Sequence, residues 1–565
     1  MPNSLQEAIV SNDYYDYIIP SIFDLSTLSD ILPEIRLLEM DSAYSLLNVP
    51  APRNTALFEY TRYNTIPNLF MLQDTTSLEI SGITQVQNLT NLNLTGSGVL
   101  IGFIDTGIDY TNRVFRDAAG NTRIEAIWDQ SLQGGATPRH FPYGTEYRRE
   151  EINQALQADN PLDVVPSTDT NGHGTFLASV TAGSALPEEN FIGAAPESMI
   201  AMVKLKEAKD YLKEFFYYSG TDPVFQETDI IMAYSYLRNL AMELQIPLVV
   251  CIGLGSNQGD HAGGMPLSVV LSGTSTLITN AVVAACGNEA GRAHHYYGEL
   301  PESVSYETVE ILVPEGSPGF FLETWVRSPD AFSVGFVSPT GEVVSRIPFG
   351  LNNTVNAGFI LDPTTIEVHY ETIQAVTGSQ LIFMRFRRPS PGIWRVRVYG
   401  PRVLFGSFHM WLPVYGFTEP DIVFLKPDAY TTLTAPSDAS NIIATGTYDA
   451  YSNSLYLNSG RGNTTLDVQK PDFCAPGVGL TGMNARGNLT TRTGSCLAAG
   501  LTAGSAALVM EWGLKRSPFL LFNSAEIRDF LIRGTVRDPG IVYPNREWGY
   551  GKLNVYRSFT SFFET

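Results

Sequence analysis

At 565 residues the chain has room for a large core and for two or three domains. Hydrophobic content of 44% against charged content of 17% excludes a disordered polypeptide. The formal net charge of -22 argues against nucleic acid or an anionic membrane surface as a partner, since both would repel it.

The N-terminus, MPNSLQEAIVSNDYYDYIIPS, lacks a basic start followed by an apolar stretch, so no signal peptide is expected. No run approaches the ~18–20 uninterrupted apolar residues of a spanning helix. Residues 1–73 differ in pattern from the remainder of the chain. Tyr15 to Pro20 and Leu57 to Tyr60 read as strands, and Leu25 to Leu47 carries helix-like spacing, which together suggest a small α+β unit.

From residue 74 the pattern changes. The apolar run 98–104 (GVLIGFI) reads as a buried parallel strand delivering Asp105 at its C-terminal end. His173 opens a run of small and apolar residues suited to a buried helix. Further strands are expected at Met199 to Lys204, Pro247 to Ile252, Ala281 to Ala285 and Asn441 to Gly446. Helical patterns lie at 227–245, 266–279, from about Cys496 to Gly513, and from Ser524 to Ile532. This alternation predicts an α/β domain with a doubly wound, mostly parallel sheet, whose reactive groups gather beyond the carboxyl ends of the strands.

Residues 303–415 break the rhythm with short alternating β-type runs such as Thr308 to Val313, Phe320 to Val326 and Trp394 to Tyr399, separated by Gly, Pro and Asn. They predict an antiparallel β-sandwich, for which a jelly roll fits, inserted within the α/β domain. The expected organisation is thus 1–73, 74–302, 303–415 and 416–565, the second and fourth segments forming one domain.

Four short blocks carry the chemistry: Ile104-Asp105-Thr106-Gly107, Asn171-Gly172-His173-Gly174-Thr175, Ala285-Cys286-Gly287-Asn288-Glu289 and Thr493-Gly494-Ser495-Cys496-Leu497-Ala498-Ala499. In this order and spacing they resemble the signature blocks of the subtilisin-like serine proteases, in which the triad runs Asp, His, nucleophile. The resemblance implies Asp105 as the residue orienting His173, His173 as general base, and Asn288 as an oxyanion donor. Cys496 then stands where serine is usual. Registering Gly494 and Ala498-Ala499 on the family block leaves no room for Ser495 as nucleophile, because that choice needs a deletion that turns a helical side chain by about 100°. At a helix N-terminus beside a histidine, a thiol loses its proton more readily than in a free cysteine.

Ile252-Gly253-Leu254-Gly255 looks like the family's substrate-cleft segment, with Gly253 in place of the usual Ser and with Leu254 and Gly255 available to bind substrate. The long start, the strand-rich insertion and the run Ser77 to Ile83 resemble the clostridial Csp germination proteases, which retain a propeptide. That resemblance implies that residues 1–73 are a propeptide, cut near Gln73, whose segment Pro67 to Gln73 lies in the cleft. It also implies a spore protein, synthesised in the cytoplasm and placed in the coat or cortex region. Such a protein acts on a polypeptide substrate such as a cortex-lytic zymogen, or is a catalytically inactive relative that senses or relays the germinant signal. The cysteines at 251, 286, 474 and 496 show neither a disulfide framework nor a zinc spacing, and the missing EF-hand loop argues against one kind of calcium site, so no cofactor and no metal-ligand set is read from the sequence. A papain-type thiol peptidase is set aside, because its local cysteine signature is missing.

Overall fold

The computed structural model describes residues 5–21, 35–51, 62–72, 81–88, 92–350, 353–371, 376–400, 403–517 and 521–561. At its centre is a nine-stranded sheet. The strands run Ser454–Leu455, Ile443–Asp449, Asn280–Ala285, Leu248–Ile252, Leu100–Asp105, Met199–Lys204, Ile124–Asp129 and Thr145–Arg148, with Phe473–Pro476 also beside Ile443–Asp449. The inner pairings are parallel, and antiparallel pairs occur with Thr145–Arg148 and Ser454–Leu455.

Central strands of this kind are apolar throughout because both faces are covered. Val249 and Cys251 face one core with Phe176, Leu177 and Leu497, whereas Val250 and Ile252 face the other with Ile230, Leu237 and Leu267. The helices His173–Ala182 and Ser495–Arg516 supply the first layer, and Glu227–Leu244 and Pro266–Thr274 the second. Ser495–Arg516 is the one helix among the described residues long and apolar enough to cross a membrane, but 89% of its most apolar window is buried inside the domain. Its apolarity follows from that central position.

Two antiparallel sheets interrupt this domain. One has six strands, from His295–Glu299 at one edge to Asn353–Gly358 at the other; the second has five, bounded by Val343–Ile347 and Val423–Phe424. Their facing sides share a core that includes Val309, Ile311, Leu322, Phe336 and Trp394. The pairing therefore starts before residue 303 and ends after residue 415. The strand Gly319–Val326 is buried on both faces. Phe320 and Leu322 point into the sandwich, while Phe321 and Trp325 pack outward with Phe215, Phe216, Tyr63 and Met71. The sandwich is thus cemented to the α/β domain by an aromatic layer.

The N-terminal region forms a three-stranded antiparallel sheet in the order Tyr14–Pro20, Tyr44–Pro50, Arg36–Glu39. The helix-like spacing read over 25–47 is corrected here, since residues 36–39 and 44–50 are strands. The reason is polar burial. Ser45 and Asn48 point inward, so the apolar alternation of a strand is missing from the sequence. The expected strand at 57–60 lies outside the described residues.

This sheet docks through a buried charge. Lys209 Nζ donates to Asp16 Oδ1 at 2.7 Å and to the Ala8 carbonyl at 2.8 Å. Asn48 and Gln226 donate to the same carboxylate at 2.6 and 2.7 Å. Asp16 is 1% exposed and Lys209 3%, a burial tolerable only because the carboxylate is so fully hydrogen-bonded.

Candidate active site

Asp105, Gly253 and Asn288 all lie at or just past the carboxyl ends of adjacent parallel strands, Leu100–Asp105, Leu248–Ile252 and Asn280–Ala285. That is where an open α/β sheet places its ligands. The loops leaving those strands bring the residues of the four sequence blocks together.

Asp105 ends its strand fully buried. Its Oδ1 accepts the Thr106 N–H at 2.7 Å, and its two oxygens lie 2.8 and 2.9 Å from His173 Nδ1. A carboxylate on Nδ1 fixes the proton there and turns Nε2 away from Asp105. The Cys496 side chain is hydrogen-bonded to the same imidazole. Burial works to lower the basicity of His173, but the charges of Asp105 and Cys496 outweigh it and hold the imidazole well above its usual range.

His173 is the first residue of its helix, entered through Gly172 at φ 81°. Asp169 braces that turn, and sequence reasoning missed it. One of its oxygens accepts the Gly172 N–H at 2.8 Å and the Thr106 hydroxyl at 2.8 Å. The other accepts the N–H and hydroxyl of Thr175 at 2.8 and 2.7 Å. The available signal was an acidic residue four positions before the histidine. Gly174 is required beside it, because a Cβ there would sit 2.2 Å from the Gly107 carbonyl oxygen.

Cys496 is the second residue of the long helix Ser495–Arg516 and is wholly buried. Its amide N–H belongs to the first turn, where donors have no acceptor within the helix. Asn288 Oδ1 accepts the Ser495 N–H at 3.2 Å, which fixes the side-chain amide and leaves Nδ2 as its donor. Next in sequence, Glu289 is clamped by His294 Nδ1 at 2.7 Å, and His294 Nε2 lies 3.0 Å from Asp421. The two carboxylates raise His294 to about 9 despite burial. This acid–histidine–acid array ties the Asn288 loop to the segment leading into the sandwich strand Val423–Phe424. It was not legible in the sequence, because Asp421 is 127 residues from His294.

The segment Leu254–Gly255 pairs antiparallel with Leu69–Leu72, Leu254 opposite Leu72 and Gly255 opposite Met71. On its other side Leu69–Leu72 pairs with Phe225–Gln226, making a three-stranded sheet. Side chains grip the same segment: Gln258 accepts the Leu69 N–H at 2.7 Å and Glu227 the Asn68 N–H at 3.2 Å. From the sandwich, Glu371 accepts the Tyr63 N–H at 3.0 Å and Glu323 the Tyr63 hydroxyl. Gln73, the expected cleavage point, lies outside the described residues, as do residues 77–80 of the run beginning at Ser77.

Chemically the arrangement offers a thiol, a base oriented by a carboxylate, a fixed amide donor beside a helix N-terminus, and strand edges able to hold an extended chain. The Subtilase family matches residues 96–340 and 425–551, leaving out 341–424, which lie within or next to the sandwich. The CspB protease of Clostridium perfringens superposes with a TM-score of 0.76 at 30% identity, covering 86% of this chain and 97% of that one. The membrane-bound transcription factor site-1 protease of Mus musculus is 30% identical over 136 residues, 23% of this chain and 12% of the relative. A subtilisin-like protease of Arabidopsis thaliana is 21% identical over 423 residues, 73% of this chain and 52% of the relative. The chain therefore spans about an eighth and about half of these two curated relatives. With the family matched across both halves of the α/β domain and the site assembled from its blocks, the chain belongs to the subtilase family.

Proposed function

We propose that the chain is a Csp-type endopeptidase in which Cys496 replaces the nucleophilic serine, and that its turnover is slow and confined mainly to a self-cleavage near Gln73. In this reading His173 takes the thiol proton, Asp105 holds the imidazolium, and Asn288 Nδ2 with the Cys496 N–H receives the oxyanion. Residues 1–73 are the propeptide, Gly253, Leu254 and Gly255 bind the acyl side of the substrate, and the inserted sandwich is a jelly roll. The observation that carries the reading is the imidazole of His173 held between the Asp105 carboxylate and the Cys496 thiol.

Slowness follows from sulfur. Its bond to carbon is longer than that of oxygen, and a misplacement of ~1 Å at the reacting centre costs about a hundredfold. The thiolate also leaves more readily than an amide nitrogen, so the tetrahedral intermediate reverts unless His173 protonates the amine first. The setting is the bacterial spore, and the polypeptide acted on is a cortex-lytic zymogen. Time-resolved intact mass of the purified chain beside Cys496→Ala tests this. Loss of about seventy residues from the natural chain and not from the alanine variant supports it; two full-length chains of unchanging mass contradict it.

A second reading has its own support. Leu69–Leu72 is paired on both sides, with Leu254–Gly255 and Phe225–Gln226, and its segment is gripped by Gln258 and Glu227. A foreign substrate must displace it. A chain that never cuts itself would then serve as a pseudoprotease, relaying the germinant signal by binding alone, and unchanging masses in the same experiment favour that reading.

A further inference from the structure

A cavity of about 520 Å³ lies between the sandwich and the α/β domain, lined by residues that the peptidase chemistry does not use. Its volume falls in the roughly 300–1,000 Å³ range of sites for small ligands, but its wall is chiefly polar. The sandwich contributes Arg327 and His409; the α/β domain contributes Asp428, Asn463, Asp467 and Arg546. Both signs of charge therefore face one space.

The wall is built and rigid. His295 and His409 stack on Trp411 at 4.8 and 5.2 Å between ring centroids. His295 Nδ1 lies 3.2 Å from the Asp428 carbonyl and so carries its proton there. Its Nε2 then accepts from His409 Nδ1 at 2.9 Å, which leaves His409 Nε2 as an acceptor. Burial lowers both imidazoles, His409 to about 3, so the pair stays neutral and offers a lone pair to a donor.

The charged groups are only partly engaged. Arg546 donates from Nε to the Gly462 carbonyl at 2.7 Å and from one terminal nitrogen to the Thr431 hydroxyl at 3.1 Å. Arg327 lies over the Phe405 ring at 4.6 Å. Asp428 spends one oxygen on the Tyr430 N–H at 2.7 Å. Asn463 Oδ1 is buried without a partner among the described residues, and a buried acceptor left so is costly unless something donates to it.

We propose that this cavity is a binding site for a small zwitterion, an amino acid or short peptide with free termini. The guanidinium groups of Arg327 and Arg546 receive its carboxylate. Asp428, Asp467, Asn463 Oδ1 and His409 Nε2 receive its ammonium. The proposal does not rest on turnover at Cys496, and a binding failure here leaves the peptidase reading untouched.

Isothermal titration of the full-length chain tests it, with glycine, phenylalanine and Gly-Phe-Gly as probes beside N-acetyl-phenylalanine amide and inorganic phosphate. The expected result is saturable binding of at least one free-termini probe and none of the blocked amide or phosphate. That binding should weaken at least tenfold in Arg546→Gln and in Asp428→Asn. Arg327→Gln, at an exposed position, is the second variant should Arg546→Gln fail to fold. Absence of saturable binding by all three free-termini probes overturns the proposal. So does equal binding of the blocked amide or of phosphate, and so does binding unaffected by these substitutions, which would place the probe in the peptide cleft.

Discussion

A Cβ built on Gly253 would lie 3.0 Å from the Cβ of Cys496 and 3.1 Å from Leu177 Cδ2. Leu177 belongs to the packed face of the His173 helix, so neither neighbour can yield freely. Gly253 is therefore held by packing around the thiol.

Gly253→Ser is accordingly expected to destabilise the chain by about 1–3 kcal/mol through overpacking. It should also slow any self-cleavage, because the serine crowds Cys496 and stands 3.5 Å at its Cβ from His173 Cε1. Thermal melts and intact mass check the two effects; a variant as stable as the natural chain contradicts the crowding.

Asn288→Ala should lower the rate of self-cleavage by about 10²–10³-fold in a chain carrying serine at 496, the loss expected for one oxyanion donor. Stability should fall far less, since among the described residues Oδ1 loses the 3.2 Å contact with the Ser495 N–H. Single-turnover kinetics of cleavage, beside a thermal melt, separates the two.

Asp16→Ala removes the buried partner of Lys209 and also strands Gln226 and Asn48. Breaking a buried pair from one side costs about 3–5 kcal/mol. The N-terminal sheet should then detach first, visible as early tryptic cleavage within residues 1–72 while the α/β domain remains intact.

Glu227 and Glu323 should each work to lower stability as the pH rises from about 4.5 to about 7, against the buried His295 and His409, which work the other way. Burial holds both Glu227 and Glu323 at about 7 against an ordinary 4.5. Between those values the two carboxyls keep protons in the folded chain that they have lost in the unfolded one, so at these groups each step upward in pH favours unfolding. Each group contributes up to ~3 kcal/mol over the window, and above it the effect is constant. In denaturant melts Glu323→Gln should lose less stability, or gain more, than the natural chain between those pH values. Because Glu323 accepts the Tyr63 hydroxyl, the same variant should loosen the segment that leads into Leu69–Leu72.

The parallel sheet was legible because its strands are buried on both faces: the expected strand Met199 to Lys204 matches the observed one residue for residue. The blocks around Asp105, His173, Asn288 and Cys496 were legible because close backbone approach demands small residues at fixed offsets, as at Gly174. What stayed hidden has physical causes. Val343–Ile347 and Asn353–Gly358 are edge strands, exposed enough to be polar, so the sandwich showed fewer strands than it has. Glu323, Glu371 and Gln258 hold the N-terminal segment across gaps of about two to three hundred residues, and no local pattern announces such a contact.

On the proposed reading the site lacks nothing but a serine oxygen at position 496. Intact mass and N-terminal sequencing of Cys496→Ser, beside the same chain also carrying His173→Ala, test it most directly. The serine chain is expected to cut itself faster than the natural one, with a new terminus at roughly residues 68–80, and the double variant to stay whole. A Cys496→Ser chain that remains full length contradicts it, because Asp105, His173 and Asn288 would then be in place without forming a working site.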